Sequence, residues 1–123
     1  MRPRLFVYGT LKKGYSAHVY LDKCTLEYPQ ARISAKLYAL GGFPGVVIDN
    51  KDHNTVLGEL YSLPIDESEL RETLAILDSY EGVPKLYSRQ LKYAYTPDIA
   101  QPSWVYVYKG KIKEEWRVES GVW

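Results

Sequence analysis

Alternating and periodic apolar positions divide the chain into short strands and one helix. Alternation of apolar and polar residues, together with short apolar runs rich in β-branched and aromatic residues, predicts six strands. They span residues 5–8, 31–40, 46–49, 56–63, 87–95 and 103–108. A polar turn at 50–54 should join the third and fourth strands as a hairpin. Loops are expected at 17–26, with a short helical turn, and at 97–102.

The spacing of three leucines predicts one convincing helix over residues 66–81. Leu70, Leu74 and Leu77 recur at the i, i+4, i+7 spacing of one helical face. Asp66 is placed to cap the first turn, with Glu69 three residues later to complete a capping box. Gly82 is a natural C-terminal stop, and the proline at 84 prevents continuation of the helix.

Six short strands and one helix with mostly short connections favour the α+β class with a mainly antiparallel sheet. So many short strands in a chain of 123 residues favour a closed or nearly closed barrel. That length corresponds to a single domain, 1–123, and is sufficient to bury a hydrophobic core.

Composition excludes several classes of function. Sixteen basic and fifteen acidic residues give a net charge of +1, so no electrostatic footprint for nucleic acid or a membrane surface is expected. We find no signal peptide and no apolar run near the ~18 residues of a membrane span. Cys24 is the only cysteine, which excludes an internal disulfide and favours a reducing cytoplasm.

The first predicted strand runs into a loop between two glycines. Residues 5–8 are apolar, Gly9 ends the strand, and Gly14 closes the loop. Such a loop can present backbone N–H groups to an anionic or carbonyl ligand, although glycines also mark ordinary turns. The four-residue gap resembles a P-loop, but Tyr15 and Ser16 follow where that motif requires Lys and Ser/Thr. We therefore reject a phosphate-binding P-loop.

Glu81 is the strongest candidate for chemistry because it continues the apolar stripe of the helix. If the helix extends that far, its carboxylate points toward the core at the negative end of the helix dipole. Desolvation and the dipole would both raise its pKa, as a general acid/base near neutral pH requires. The alternative is a helix that frays earlier, with Glu81 paired to a surface lysine.

The remaining reactive side chains are weaker candidates. His18 and His53 lie in predicted loops without metal-ligand spacing and are expected to be solvated. Cys24 lacks an activating histidine nearby in the sequence. Arg89 is expected to stack on a barrel wall, and contact with a ligand carboxylate is its alternative role. The sequence therefore predicts no metal site.

Three motifs together resemble the gamma-glutamyl cyclotransferase superfamily. They are VYGTLKKG at 7–14, LDSYEG at 77–82 and YSR at 87–89, and GFPG at 42–45 is similar to the family's (F/Y)-P segment. The match extends in order over nearly the whole chain. Within the superfamily, the chain looks closest to the small gamma-glutamylamine cyclotransferase-like proteins.

This resemblance implies a small mixed β-barrel with one main helix and short flanking helices, and Glu81 as the catalytic acid/base. It implies a substrate-binding set made of Tyr8, Gly9, Thr10, Leu11, Phe43 and Tyr87. The implied reaction is attack of the α-amine of a small γ-glutamyl compound on its own γ-carbonyl. It gives 5-oxoproline and a free amine or amino acid, without metal or cofactor. The alternative is a binding module that kept the pocket and lost turnover.

Overall fold

The computed structural model describes residues 2–49, 51 and 53–123, and it contains six strands, one α-helix and two 3-10 helices. The strands are β1 (Arg4–Val7), β2 (Thr25–Ala39), β3 (Pro44–Ile48), β4 (Thr55–Ser62), β5 (Tyr87–Tyr95) and β6 (Ala100–Tyr108). The helix α1 spans Glu67–Glu81, and the 3-10 helices span Ser16–Leu21 and Glu114–Trp116.

Five strands close a ring, because β1 pairs with β4, β4 with β2, β2 with β3, β3 with β6, and β6 with β1. The β1–β6 and β3–β6 pairings are parallel, and the others in the ring are antiparallel. β5 is antiparallel to β6 along its whole length, and it also makes one antiparallel pairing with β2, in which Arg32 lies opposite Tyr95. The predicted α+β fold with a mixed, mainly antiparallel barrel is therefore confirmed.

β1 is buried on both faces, which explains its unbroken apolar sequence. Phe6 and Tyr8 point into the cluster that fills the barrel. Leu5 and Val7 belong to a second cluster, which also includes Leu77 of α1. Because a strand's side chains alternate between its two faces, the end of β1 lies between the barrel core and the layer that contains the helix.

The Asp66 cap and the Gly82 stop of α1 form as the sequence predicts, whereas the return bond of a capping box, from the Asp66 N–H to the Glu69 side chain, is absent among the described residues. Asp66 accepts a hydrogen bond from the Glu69 N–H at 3.0 Å, which satisfies one free donor of the first turn. Gly82 has a left-handed φ of 76°, and its N–H donates to carbonyls of the last turn. The helix therefore reaches Glu81, and Leu77 is fully buried beneath it.

The predicted hairpin between the strands at 46–49 and 56–63 is wrong. β3 pairs instead with β2 through a tight turn, in which Leu40 N–H donates to the Phe43 carbonyl at 2.9 Å. Its other neighbour is β6, so both edges of β3 are occupied and β4 pairs with β1 and β2. Of the predicted turn at 50–54, residues 50 and 52 lie outside the described residues.

Two strands, β2 and β6, begin at least three residues earlier than predicted. β2 starts at Thr25 rather than near residue 31, and register shifts follow Leu26 and Tyr28. β6 starts at Ala100, so the predicted loop at 97–102 is strand in its last three residues. Bulges and the prolines at 29 and 102 interrupt the alternation that reveals a strand in the sequence. The short helical turn expected within 17–26 is the first 3-10 helix.

Among the described residues, no helix combines the length and the apolar character needed to cross a membrane.

Candidate active site

A cavity of about 240 Å³ opens between the end of β1 and the end of α1. Pockets for drug-sized ligands begin near 300 Å³, so this cavity suits a small molecule of amino-acid size. Its lining residues come from β1 and the loop that follows it, from the β2–β3 turn, from the C-terminal end of α1, and from β5 and β6. They are Phe6, Val7, Tyr8, Gly9, Thr10, Leu11, Phe43, Pro44, Tyr80, Glu81, Leu86, Tyr87 and Tyr106.

The loop after β1 lines the cavity with Gly9, Thr10 and Leu11. The Gly9 carbonyl accepts a hydrogen bond from the Lys12 N–H at 3.0 Å. Within the described part of the chain, no protein group accepts from the N–H groups of Gly9, Thr10 and Leu11. These donors are therefore available to an anionic or carbonyl ligand.

Gly9 is required by packing rather than by an unusual φ. A Cβ at this position would lie 2.5 Å from Cγ of Pro44, the first residue of β3. Pro44 thus packs directly against the backbone of the loop. At the other end of the loop Gly14 has a φ of 99°, where a glycine is favoured for its conformation.

The outer side of the loop is tied to β4 and to the first 3-10 helix. Glu59 accepts from the Lys13 N–H at 3.0 Å and from the Tyr61 hydroxyl at 2.8 Å. Nδ1 of His18 lies 3.0 Å from the Leu11 carbonyl oxygen. His18 is therefore half-buried and bonded to the loop, in contrast to the solvated histidine that the sequence predicts. These contacts fix the loop without using the N–H groups of Gly9, Thr10 and Leu11.

Two buried tyrosines shape the cavity wall. The Tyr8 hydroxyl donates to the Tyr106 carbonyl at 2.7 Å and accepts from the Val46 N–H at 3.3 Å. The Tyr87 hydroxyl donates to the Pro44 carbonyl at 2.6 Å. Burial raises the pKa of both phenols, so they stay protonated at neutral pH. Each hydroxyl proton is used by a protein carbonyl, so these bonds hold the two side chains in place in the wall of the cavity.

Within the described part of the chain, Glu81 is the one carboxylate that lines the cavity. Burial raises the pKa of its carboxyl from 4.5 to about 7. Among the described residues, no group forms an ion pair or a hydrogen bond with this side chain. A carboxyl that is desolvated, unpaired and titrating near neutral pH can exchange protons with a bound ligand in both directions.

The mouth of the cavity is aromatic and apolar. Tyr80, next to Glu81 in α1, brings its hydroxyl to within 2.7 Å of Thr10 Oγ1 and so joins the helix to the loop. Phe43 and Leu86 lie at the same opening, 41% and 50% exposed. A ligand entering the cavity therefore passes mainly carbon surface.

All seven residues that the sequence analysis singled out line this cavity: Glu81, Tyr8, Gly9, Thr10, Leu11, Phe43 and Tyr87. Six further lining residues were not among them: Phe6, Val7, Pro44, Tyr80, Leu86 and Tyr106. Tyr80 was within reach, because it belongs to the LDSYEG segment beside Glu81. Tyr106 carries no signal in the sequence, since it lies on an ordinary strand that folding brings to the site.

The other reactive side chains lie outside the cavity. Cys24 is half-buried, and burial raises the pKa of its thiol to about 11, which makes it a poor nucleophile. His53 is exposed. Arg89 stacks on the Trp104 ring with 4.6 Å to the centroid, as expected for a barrel wall. In residues 2–49, 51 and 53–123 no three His, Cys, Asp or Glu side chains cluster as metal ligands would.

Comparison with known proteins places this chain in a family. The family model for AIG2-like gamma-glutamyl cyclotransferases matches residues 5–123. Over 98% of its length the chain is 34% identical to a gamma-glutamylcyclotransferase family protein of Escherichia coli K12, covering 95% of that protein. It is also 36% identical over its full length to a gamma-glutamylcyclotransferase homologue from Vibrio cholerae, covering 96% of that relative.

Solved structures agree with this assignment. The protein YkqA of Bacillus subtilis superimposes with a TM-score of 0.79 at 27% identity over the whole chain, which spans 40% of the length of that larger protein. A mouse AIG2-like protein superimposes with a TM-score of 0.78 over 99% of this chain and 88% of its own, and at 23% identity it supports the fold alone. The chain belongs to the AIG2-like gamma-glutamyl cyclotransferase family.

Proposed function

We propose that this protein converts a γ-glutamyl compound to 5-oxoproline and a free amine by intramolecular cyclisation. The observation that carries the proposal is the unpaired Glu81 carboxyl, with a pKa raised to about 7, in one cavity with the free N–H groups of the loop after β1. A proton acceptor and a set of oxyanion donors are the two elements that this reaction needs.

Glu81 serves as base and then as acid. Its carboxylate takes a proton from the α-ammonium group of the substrate, and the resulting amine attacks the γ-carbonyl carbon. A tetrahedral intermediate forms with negative charge on the former carbonyl oxygen. Glu81 then returns the proton to the leaving nitrogen as the C–N bond breaks. It also takes the second proton from the former α-nitrogen, which leaves a neutral lactam N–H, and passes that proton to the released amine, so that the carboxylate is regenerated. The attacking group belongs to the substrate, so no nucleophilic side chain of the enzyme takes part.

The loop after β1 supplies the stabilising donors. The N–H groups of Gly9, Thr10 and Leu11 bind the α-carboxylate of the substrate and the oxyanion of the intermediate. Preorganised backbone donors are effective here, since they need no rearrangement when charge develops. The anchoring of the outer side of the loop by Glu59 and His18 supports this preorganisation.

The charge of the cavity favours γ-glutamylamines over γ-glutamyl amino acids. No lysine or arginine is among its lining residues within the described chain, and the mouth is formed by Phe43, Tyr80 and Leu86. A leaving amino acid would place its own carboxylate near Glu81 without a cation to balance it, which is unfavourable. A neutral or apolar amine avoids that cost.

The proposed reaction requires no cofactor, because the proton transfers are assigned to Glu81 and the nucleophile to the substrate. The expected partner is this small-molecule substrate. The reducing cytoplasm remains the proposed compartment, on the argument of the single cysteine.

A panel of γ-glutamyl compounds tests the proposal. The protein is incubated with γ-glutamyl derivatives of alkylamines, aromatic amines, lysine and amino acids, and with glutathione, and 5-oxoproline is measured by mass spectrometry. We expect product from γ-glutamylamines, with lower kcat/KM when the leaving group carries a carboxylate. Binding of 5-oxoproline without turnover of any compound would contradict the enzyme proposal and favour a binding module.

A further inference from the structure

A second carboxylate of the LDSYEG segment, Asp78, is held by two side chains outside the proposed chemistry. Arg89 of β5 donates to it twice, from Nε to Oδ1 at 2.8 Å and from its second terminal nitrogen to Oδ2 at 3.2 Å. The Tyr106 hydroxyl of β6 donates to Oδ1 at 2.7 Å. Arg89 and Tyr106 are directly opposite partners in the β5–β6 ladder. The Asp78 carboxylate is thus hydrogen-bonded to both strands, β5 and β6.

Asp78 also belongs to the turn that ends the helix at Glu81. The Val83 N–H donates to the Asp78 backbone carbonyl at 3.0 Å, and the Gly82 N–H donates to the same carbonyl. The backbone of Asp78 therefore closes the turn around Glu81, while its side chain fastens that turn to the sheet.

Tyr106 also connects Asp78 to the opposite wall of the cavity. Tyr106 donates its hydroxyl to Asp78, and its backbone carbonyl accepts the hydrogen bond from the Tyr8 hydroxyl at 2.7 Å. Asp78 is consequently joined through one residue to the wall that precedes the donor loop. The guanidinium of Arg89 is itself restrained by stacking on Trp104. The resulting set of contacts is continuous from the helix to the barrel.

We propose that Asp78, clamped by Arg89 and Tyr106, is the positioning residue that sets the last turn of α1 and so the location of the Glu81 carboxylate. This rests on the proposed function of Glu81. The physical reason is that helix ends fray, and Glu81 is the last residue of its helix. A displacement of about 1 Å in a catalytic group can lower the rate about 100-fold, so this turn requires an external anchor.

The chain offers a matched control for this contact. Arg4 and Glu27 form the same two-point geometry, with 2.8 Å from Nε to Oε1 and 3.3 Å from a terminal nitrogen to Oε2. Arg4 begins β1, at the opposite end of that strand from the cavity. Glu27→Gln therefore removes an equivalent ion pair without touching the last turn of α1.

The kinetic test compares Asp78→Asn with Glu27→Gln on the best substrate of the panel. We expect Asp78→Asn to lower kcat by about 10-fold to 100-fold with KM within about threefold, because the donor loop that binds substrate is unchanged. Arg89→Lys keeps the charge but loses the fork geometry, so it should give an intermediate loss. Glu27→Gln should keep the kcat of the native protein.

A double variant separates positioning from general structural damage. If Asp78 acts through Glu81, then Asp78→Asn should have little further effect on the residual rate of Glu81→Gln. Additive losses in the double variant would overturn the proposal, as would an unchanged kcat for Asp78→Asn. If Glu81→Gln alone retains normal turnover, the proposed function fails instead.

Amide hydrogen exchange provides a readout that does not depend on activity. In Asp78→Asn, and to a smaller degree in Arg89→Lys, we expect the Gly82 and Val83 amides to exchange at least about tenfold faster, because the turn opens more often. The same amides should keep their native rates in Glu27→Gln. Native exchange rates in both altered proteins would overturn the proposal, even if no substrate were ever found.

Discussion

The last turn of α1 carries two carboxylates, three residues apart, in opposite surroundings. The Asp78 carboxylate lies against the sheet and accepts three hydrogen bonds from Arg89 and Tyr106. The Glu81 carboxyl lies against the cavity, and no partner for it exists among the described residues. One helix end thus contains a fully satisfied acid and a desolvated, unsatisfied one.

The difference shows how the fold separates stability from chemistry. A hydrogen bond to a charged group, such as those that the Asp78 carboxylate accepts, makes a net contribution of roughly 1.5–3 kcal/mol to the stability of the native state. A carboxylate that is desolvated without partners does the opposite, and its pKa rises instead. Placing both on one turn lets the first fix the geometry of the second.

The largest expected effect is on turnover when the unpaired carboxyl is removed. Glu81→Gln keeps the shape and hydrogen-bonding capacity of the side chain but cannot accept a proton. We expect kcat to fall by roughly 10²–10⁴, the usual contribution of a general acid/base. Steady-state rates with circular dichroism as the folding control measure this. Near-native turnover in a folded Glu81→Gln protein would remove Glu81 from the mechanism.

The next effect is on the pH dependence of the reaction. The reactive form of Glu81 is the carboxylate, and burial raises the pKa of its carboxyl to about 7. Below that pH, kcat/KM should therefore fall close to tenfold per pH unit, and it should level off above it. Initial rates between pH 5 and pH 9 measure the profile. A rate that is flat down to pH 5 would mean that the working base has an ordinary carboxyl pKa.

The parts of the fold that the sequence revealed are those with an uninterrupted pattern. Strand β5 has the predicted bounds, 87–95, because its alternation is unbroken. The helix has the predicted end because Gly82 adopts the left-handed conformation that stops it. The start of β2 could not be predicted, because bulges interrupt its alternation of apolar and polar residues. The pairing of the strands could not be predicted from the pattern at all. Pairing is decided by contacts between distant segments, so neighbouring strands such as β3 and β4 need not form a hairpin.

The residues of the candidate site also differ in how far the sequence could predict their roles. The loop and Glu81 were visible because each belongs to a compact motif. Asp78 belongs to the same motif, yet its role depends on a tyrosine 28 residues away that only the fold brings near. Gly9 was singled out for backbone freedom or ligand access, whereas the structure gives it a packing reason in Pro44. Motif reasoning therefore identified residues better than it identified the contacts that explain them.

The smallest expected effect is on stability, and its sign should differ between the two carboxylates. The folded pKa of Glu81, about 7, lies above its unfolded value of 4.5. Its contribution is therefore fully present at low pH and is lost as pH rises through 7. At pH 8 the native protein carries a cost of up to about 3 kcal/mol for ionising this group, at 1.36 kcal/mol per pKa unit.

Glu81→Gln removes that cost, so it should raise the melting temperature at pH 8, by at most roughly 10 °C at about 4 °C per kcal/mol, and change it little at pH 5. Asp78→Asn should lower the melting temperature at pH 8, because it leaves the Arg89 guanidinium without its carboxylate at roughly 2 kcal/mol. Scanning calorimetry of the three proteins at both pH values measures the difference. A lower melting temperature for Glu81→Gln at pH 8 would identify Glu81 as a structural ion-pair partner. In that case both carboxylates would stabilise the fold, and the turn would not combine a structural carboxylate with a catalytic one.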